Sequence, residues 1–357
     1  MPLPLPVPDP LPLPLPPGLF KALLVVTGML HLLAVNLAVG GALVLSVHAL
    51  RGRSSDREWV ARLVPLLPPA ITFAITLGVA PLLFLQLLYG DFFYTASVLM
   101  AAPWLAFIAL LMLGYALVYR FVKGASIRGR SGLMGMLLLL GVGFLWVSVT
   151  TLSLRPDLWA AQAAAAPHGG WIRVVDASLW PRFLHMVTGF AAVAGLLLAL
   201  WGGWRGHGEA RRAGLHWFAW ATLSQLLWGG WLLMAQPRPL MKRLMHIETM
   251  EGFTLWISVA AGLAAAHFAL KARKGEASLK GLWLPFALGL LSVLGMIWNR
   301  DQLRDMALEA LGFRSCALPH ATDGLSFVIF LITVAAVALL IGVMVRWIRS
   351  HANEVAP

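Results

Sequence analysis

Apolar residues in this chain come in long blocks. They follow neither the strict alternation of a half-buried strand nor the one-sided stripe of a surface helix. Nine blocks stand out, near residues 19–50, 64–89, 95–119, 132–154, 181–204, 213–235, 246–270, 281–298 and 322–347. Each is about as long as the roughly twenty residues that carry a helix, at 1.5 Å per residue, across a hydrocarbon layer of about 30 Å. Backbone in lipid has to satisfy its own hydrogen bonds, so blocks of this length predict helices. The pattern therefore predicts an all-α, polytopic membrane bundle of nine transmembrane helices over residues 19–350. A proline-rich arm (1–18) precedes it and a short tail (351–357) follows. The arm alternates proline with apolar residues, so it is expected to be extended and to join neither helix nor sheet. It lacks the basic start and continuous apolar core of a cleavable signal.

Charge then orients the bundle. The links after the first, third, fifth and seventh blocks, with the C-terminal end, hold 17 of the 27 Lys and Arg but only 5 of the 15 Asp and Glu. The formal net charge of +12 thus lies entirely on one side. That side is cytoplasmic by the positive-inside rule, which puts the N-terminus outside and the C-terminus in the cytoplasm. A surplus distributed in this way sets topology and argues against a nucleic-acid partner. The composition, 60% apolar and 12% charged, agrees with an integral membrane protein. A single cysteine, Cys316, excludes an intramolecular disulfide, a cysteine-rich zinc site and a cysteine-ligated iron–sulfur cluster. No C-x-x-C-H run is present, so any haem is non-covalent.

Against this apolar background a few polar side chains carry the candidate chemistry. His185 sits about one turn into the fifth block, followed by Gly189, Ala191, Ala192, Ala194 and Gly195, small residues that admit a planar group or a neighbouring helix. A buried imidazole there needs a partner, either a hydrogen bond to another helix or a haem iron. His31 lies inside the first block. His48 is 17 residues further on, about 26 Å along a helix, so the two cannot serve one haem. In the seventh block His246 and Met250 are four residues apart, which on a continuous helix places them on one face. Glu248 and Glu251 flank them. His48, His168, His216 and His267 read as solvated or structural histidines. His320, at the start of the ninth block, reads as an interfacial histidine or an added ligand. Trp217, Trp220, Trp228 and Trp231 read as packing between helices or against a macrocycle.

The ordered set of His31 with Gly40 nine residues on, G-V-A at 78–80 followed by Gln86 and Tyr89–Gly90, A-A-P-W at 101–104, and R-F-L-H-M around His185 resembles subunit I of the cytochrome bd quinol oxidases. The likeness is good over about residues 20–205 and loose beyond. It implies that His185 is an axial ligand of a low-spin haem b, with Met250, in T-M-E-G, as the inherited partner and His246 as its competitor. It implies that His31 holds a second haem. It also implies a place in the inner (cytoplasmic) membrane of a bacterium, in a respiratory chain. Arg300 falls where that family has an arginine after its eighth span.

The departures from the family are as informative. Gln86 and Phe107, or a close neighbour of Phe107, stand where the family has glutamates on its proton path. Residues 281–298 contain no acid or histidine to ligate a third haem, and the link between the sixth and seventh blocks is too short for the family's quinol-binding loop. The expected function is electron transfer through haem b, with one haem from His185 and a second from His31, and without oxygen reduction by this chain. The expected donor is a periplasmic cytochrome c or a second membrane subunit, while the sequence leaves quinol open. A quinol-oxidising terminal oxidase subunit and a haem-free transporter or scaffold are the alternatives.

Overall fold

The computed structural model describes residues 12–123, 129–173, 175–273, 279, 281–321 and 324–351. The first eleven residues of the proline-rich arm and the tail beyond 351 fall outside them. The described residues are helical, in the order α1 (Pro17–Val35), α2 (Gly41–Arg51), α3 (Ser54–Leu63), α4 (Leu67–Leu99), α5 (Ala101–Val122), α6 (Arg130–Ser153) and α7 (Trp159–Ala165). These are followed by α8 (Leu179–Trp204), α9 (Gly208–Met234), α10 (Arg238–Met245), α11 (Met250–Ala272), α12 (Trp283–Glu309) and α13 (Gly324–His351).

Seven helices or helix runs are long and apolar enough to cross a membrane: Pro17–Arg51, Ser54–Leu99, Ala101–Val122, Arg130–Ser153, Leu179–Trp204, Met250–Ala272 and Gly324–Met344. The expected sixth and eighth spans are helices too, α9 and α12, but they do not reach that standard. The interior of α9 carries Ser224, Gln225, paired glycines and several tryptophans, and α12 turns polar from Asn299 onward.

Local chemistry accounts for the breaks. The first rod runs from α1 through a wide π turn at Asn36–Gly40 into α2. It stops at Gly52, whose φ of 63° is the left-handed stop that glycine adopts freely. The second and third expected spans are divided differently from the sequence pattern. Residues 95–99 belong to α4, which passes through Gly90 and Asp91 with a non-helical break at Tyr89 (φ −136°) and ends at Met100.

Two compact units divide the chain: residues 1–22 with 314–357, and residues 23–313. In the first, Leu13 makes a parallel bridge to His320, with Leu13 N–H donating to Pro319 O (2.8 Å) and Ala321 N–H donating to Leu13 O (2.9 Å). Of the arm only residues 12–18 are described: Leu13 pairs where pairing was not expected, because it keeps the N–H that its proline neighbours lack, and Pro17 and Gly18 already belong to α1.

The second unit has two main cores. One joins the first rod, α3, α4 and α6 to α8 around Trp59, Leu67, Ile71 and Phe190. The other joins α8, α9, α11 and α12 around Leu196, Leu215, Phe218 and Leu282. Glycines set how closely these helices cross. A Cβ at Gly40 would run into the backbone of Phe190, and one at Gly195 would lie 2.6 Å from Phe218 N and 2.8 Å from Gly214 O. Close backbone approach of this kind is how helices associate where lipid removes the hydrophobic drive.

Candidate functional site

His31 and His185 are held in different ways. The Nδ1 of His31 lies 2.9 Å from the carbonyl oxygen of Ala74 on α4. A carbonyl only accepts, so Nδ1 carries the proton and Nε2 keeps its lone pair. The ring fits because position 78, one turn on, is glycine. A Cβ there would stand 2.9 Å from the ring's Cε1.

His185 faces α9. The side-chain amide of Gln225 is 2.6 Å from its Nδ1 and 2.9 Å from Gly189 N, with the amide nitrogen assigned toward the imidazole and its oxygen toward the glycine. A Cβ at Gly229 would sit 3.4 Å from the ring. Of the two readings of His185, the hydrogen bond to a neighbouring helix is therefore made, and the glycine beside the ring is Gly229 of α9, not one of the small residues noted on its own helix.

Three arginines converge near these histidines. Arg182, one turn before His185, buries its Nε without a partner and reaches Ser178 Oγ with Nη2 at 3.3 Å. Arg300 makes no hydrogen bond among the described residues, and its charge acts on both Arg182 and His31. Arg304 is held by Asp301 at 2.8 Å and lies over the ring of Tyr89, 4.8 Å from its centroid. Tyr89 OH donates to Asp305 at 2.7 Å. This network ties the α4 break to α12. It escaped the sequence pattern, in which the eighth block ends at residue 298 while α12 runs on to Glu309. The signal was present: Arg300 with Arg304, and Asp301 with Asp305, recur at the four-residue spacing of one helical face.

The expected pair in the seventh block is differently placed. His246 lies outside α11, extended (φ −82°, ψ 110°) at the end of α10, so it and Met250 do not share a helical face. Met250 opens α11 and is 68% exposed. Its neighbour Thr249 caps α11, its Oγ1 accepting from Gly252 N at 3.0 Å. Glycine is needed at 252 because a Cβ would strike His246 O. Glu251 pairs with Arg243 at 2.6 Å. The run T-M-E-G thus has a complete local role as a helix cap. Of the candidate ligands, the described contacts of His185 come from α9, and neither Met250 nor His246 is among them.

Of the other histidines, His48 is buried. His168 is exposed in a left-handed turn (φ 65°), and His216, His267 and His320 are exposed. Gln86 and Phe107 are half-buried on α4 and α5. No group of three or more His, Cys, Asp or Glu that would hold a bare metal ion occurs among the described residues.

An all-α membrane bundle with imidazoles seated between helices defines the class. Neither family models nor curated proteins give a match. Among solved structures the chain is similar to the bd oxidase from Geobacillus thermodenitrificans, with a TM-score of 0.67 over 95% of this chain and 98% of that one, at 11% identity. The fold is therefore that of a bd oxidase chain. Identity this low carries the fold and not the activity.

Proposed function

We propose that this chain is a b-type haem protein of a bacterial inner membrane that transfers electrons and does not itself reduce oxygen. The observation that carries the reading is the His31 geometry. On a fold like that of a bd oxidase, an imidazole anchored through Nδ1 to a backbone carbonyl points an uncommitted Nε2 into the bundle, as haem ligation requires. His185 would hold the second haem in the same manner, with Gln225 turning its oxygen toward Nδ1. Gln225 would then accept the imidazole proton and orient the ring. Arg182, its Nε unpartnered, and Arg300, with no hydrogen bond among the described residues, would neutralise carboxylates such as haem propionates.

Haem b, when bound, supplies a one-electron Fe(III)/Fe(II) couple. The protein residues bind, orient and keep water away. Gln86 and Phe107 carry no titratable proton at the positions where the resemblance has glutamates, so they supply no proton for oxygen reduction. Met250, with His246 as the competing ligand, would complete the His185 site, and either would have to be drawn inward from the 246–250 turn. Nine spans with the N-terminus outside, and a periplasmic cytochrome c or a second membrane subunit as redox partner, complete the proposal.

The test is the reduced-minus-oxidised spectrum and haem stoichiometry of the purified chain. His31→Ala and His185→Ala should each remove one b-type signal, and Met250→Leu should shift the low-spin one. A haem-free protein, or spectra unchanged in both histidine variants, would refute the reading.

A further inference from the structure

A cavity of about 970 Å³ opens at the basic end of the bundle, away from the use made above of His31 and His185. This volume is near the top of the roughly 300–1,000 Å³ range of small-molecule sites. Its lining changes character along its length. Arg51, Arg53 and Arg273 are exposed at helix ends, and none forms an ion pair among the described residues. The fourth arginine, Arg212, is already held by Glu209 at 2.6 Å. Further in, the wall is Leu43, Val187, Trp217 and Trp220. Ser224, also in the lining, lies twelve residues past Arg212 on the same helix, about 18 Å along the axis. The cavity is thus cationic at the mouth and apolar over much of a membrane leaflet's depth.

The buried polar groups beside it are already satisfied. His48 and Asp56, each 6% exposed, pair at 2.8 Å, and Trp217 Nε1 donates to His48 Nε2 at 3.2 Å. Both nitrogens of His48 are taken, so it offers no ligand to a metal. Its part is to fix the indole that forms the wall. What remains for an occupant is three guanidinium groups and an apolar slot, which suits a phosphate joined to an acyl chain. A soluble anion leaves the slot unused, and a zwitterionic lipid has no need of three unpaired cations.

We propose that this cavity binds an anionic phospholipid, with its phosphate against Arg51, Arg53 and Arg273 and an acyl chain along Leu43, Val187 and Trp220. Basic pockets between helices at the cytoplasmic surface recognise such headgroups, each arginine contributing roughly a factor of five in affinity.

The test uses the full chain, stripped of lipid in a neutral detergent and titrated with phosphatidylglycerol, phosphatidylcholine or glycerol 3-phosphate by native mass spectrometry. Phosphatidylglycerol should bind at least tenfold more tightly than either of the others. Replacing Arg51, Arg53 and Arg273 together by Gln should weaken it about a hundredfold, and each single replacement about fivefold. Arg120→Gln with Lys123→Gln, at the same end but outside the cavity, should leave it unchanged. The single variants decide the matter if the triple variant loses helical content. Equal binding of phosphatidylcholine, an equal loss in the control pair, or glycerol 3-phosphate binding as tightly as the lipid would each overturn the proposal. The last of these would make it a site for a soluble phosphate.

Discussion

Gly195→Ala should open the close crossing of α8 and α9. The added methyl would lie 2.6 Å from Phe218 N, 2.8 Å from Gly214 O and 2.8 Å from Trp217 Cβ, where ordinary contact begins at 3.4 Å. Two of these neighbours are backbone atoms and the third is a Cβ, so no flexible side chain can swing aside. α8 and α9 must therefore part by about 0.8 Å, the difference between 2.6 and 3.4 Å. Overpacking of this kind costs about 1–3 kcal/mol, and a better helix former returns up to about 1 kcal/mol, leaving a net loss of about 2 kcal/mol for a rigid backbone neighbour. Gly230→Ala is the control, because nothing lies within 4 Å of its new methyl. It should gain up to about 1 kcal/mol. The two variants should then differ by about 3 kcal/mol, or roughly a hundredfold in unfolding equilibrium. Reversible unfolding in mixed micelles of increasing SDS fraction, followed by far-UV circular dichroism, measures this difference. If the two variants unfold within about 0.5 kcal/mol of each other, the close-crossing argument fails.

Tyr89→Phe removes the hydrogen bond to Asp305 and should cost about 1.5–3 kcal/mol by the same assay, the range for a bond to a charged group. A loss as large in Tyr94→Phe, whose ring is exposed, would count against it. Thr249→Val removes the cap of α11 and should cost about 1 kcal/mol, whereas Thr249→Ser should retain most of it. Equal losses in both would show that the hydroxyl is not the cause. Arg155 hydrogen-bonds Asp157 in the link after α6, holding that carboxyl below its usual 3.8 and the guanidinium above its usual value. A lowered carboxylate pKa adds stability above pH 4 that fades as pH falls through the folded-state value. Protection of the Arg155, Asp157 and Leu158 amides, relative to their intrinsic exchange, should accordingly fall on acidification below about pH 4, and Arg155→Gln should remove that dependence; an unchanged profile in Arg155→Gln would refute the assignment.

How much of this was legible beforehand follows from what lipid does to sequence patterns. Long apolar runs stand out, so each expected span has a helix close to it. Which face of a helix packs is much harder to read, because a lipid-facing leucine and a core leucine look alike. Gly189 and Gly195 were legible as small residues on the His185 helix. That Gln225 would meet His185 was not, since a glutamine in an apolar run names no partner. The His246–Met250 pairing failed because a four-residue spacing means one face only if the helix is continuous. Thr249 starts a new helix between them. The break at Tyr89 was equally hidden, because it depends on Asp305 and Arg304, more than two hundred residues away in sequence.

The pairing of α8 with α9 and of α11 with α12 has a consequence for biogenesis. α9 and α12 are the two expected spans whose apolar character falls short of a free-standing membrane helix, and each follows in synthesis the helix on which it packs most extensively. On the proposed nine-span arrangement, α9 and α12 would enter the bilayer with the predecessor beside the translocon to cover their polar positions, and each pair would insert as a hairpin. Gly195, Gly202 and Gly214 then act before the protein is finished, letting the nascent α9 dock on α8 without a gap that lipid would fill. Chains ending after α9 should hold that helix in the membrane only when α8 keeps its glycines, which makes the crossing a requirement of assembly as well as of the finished fold.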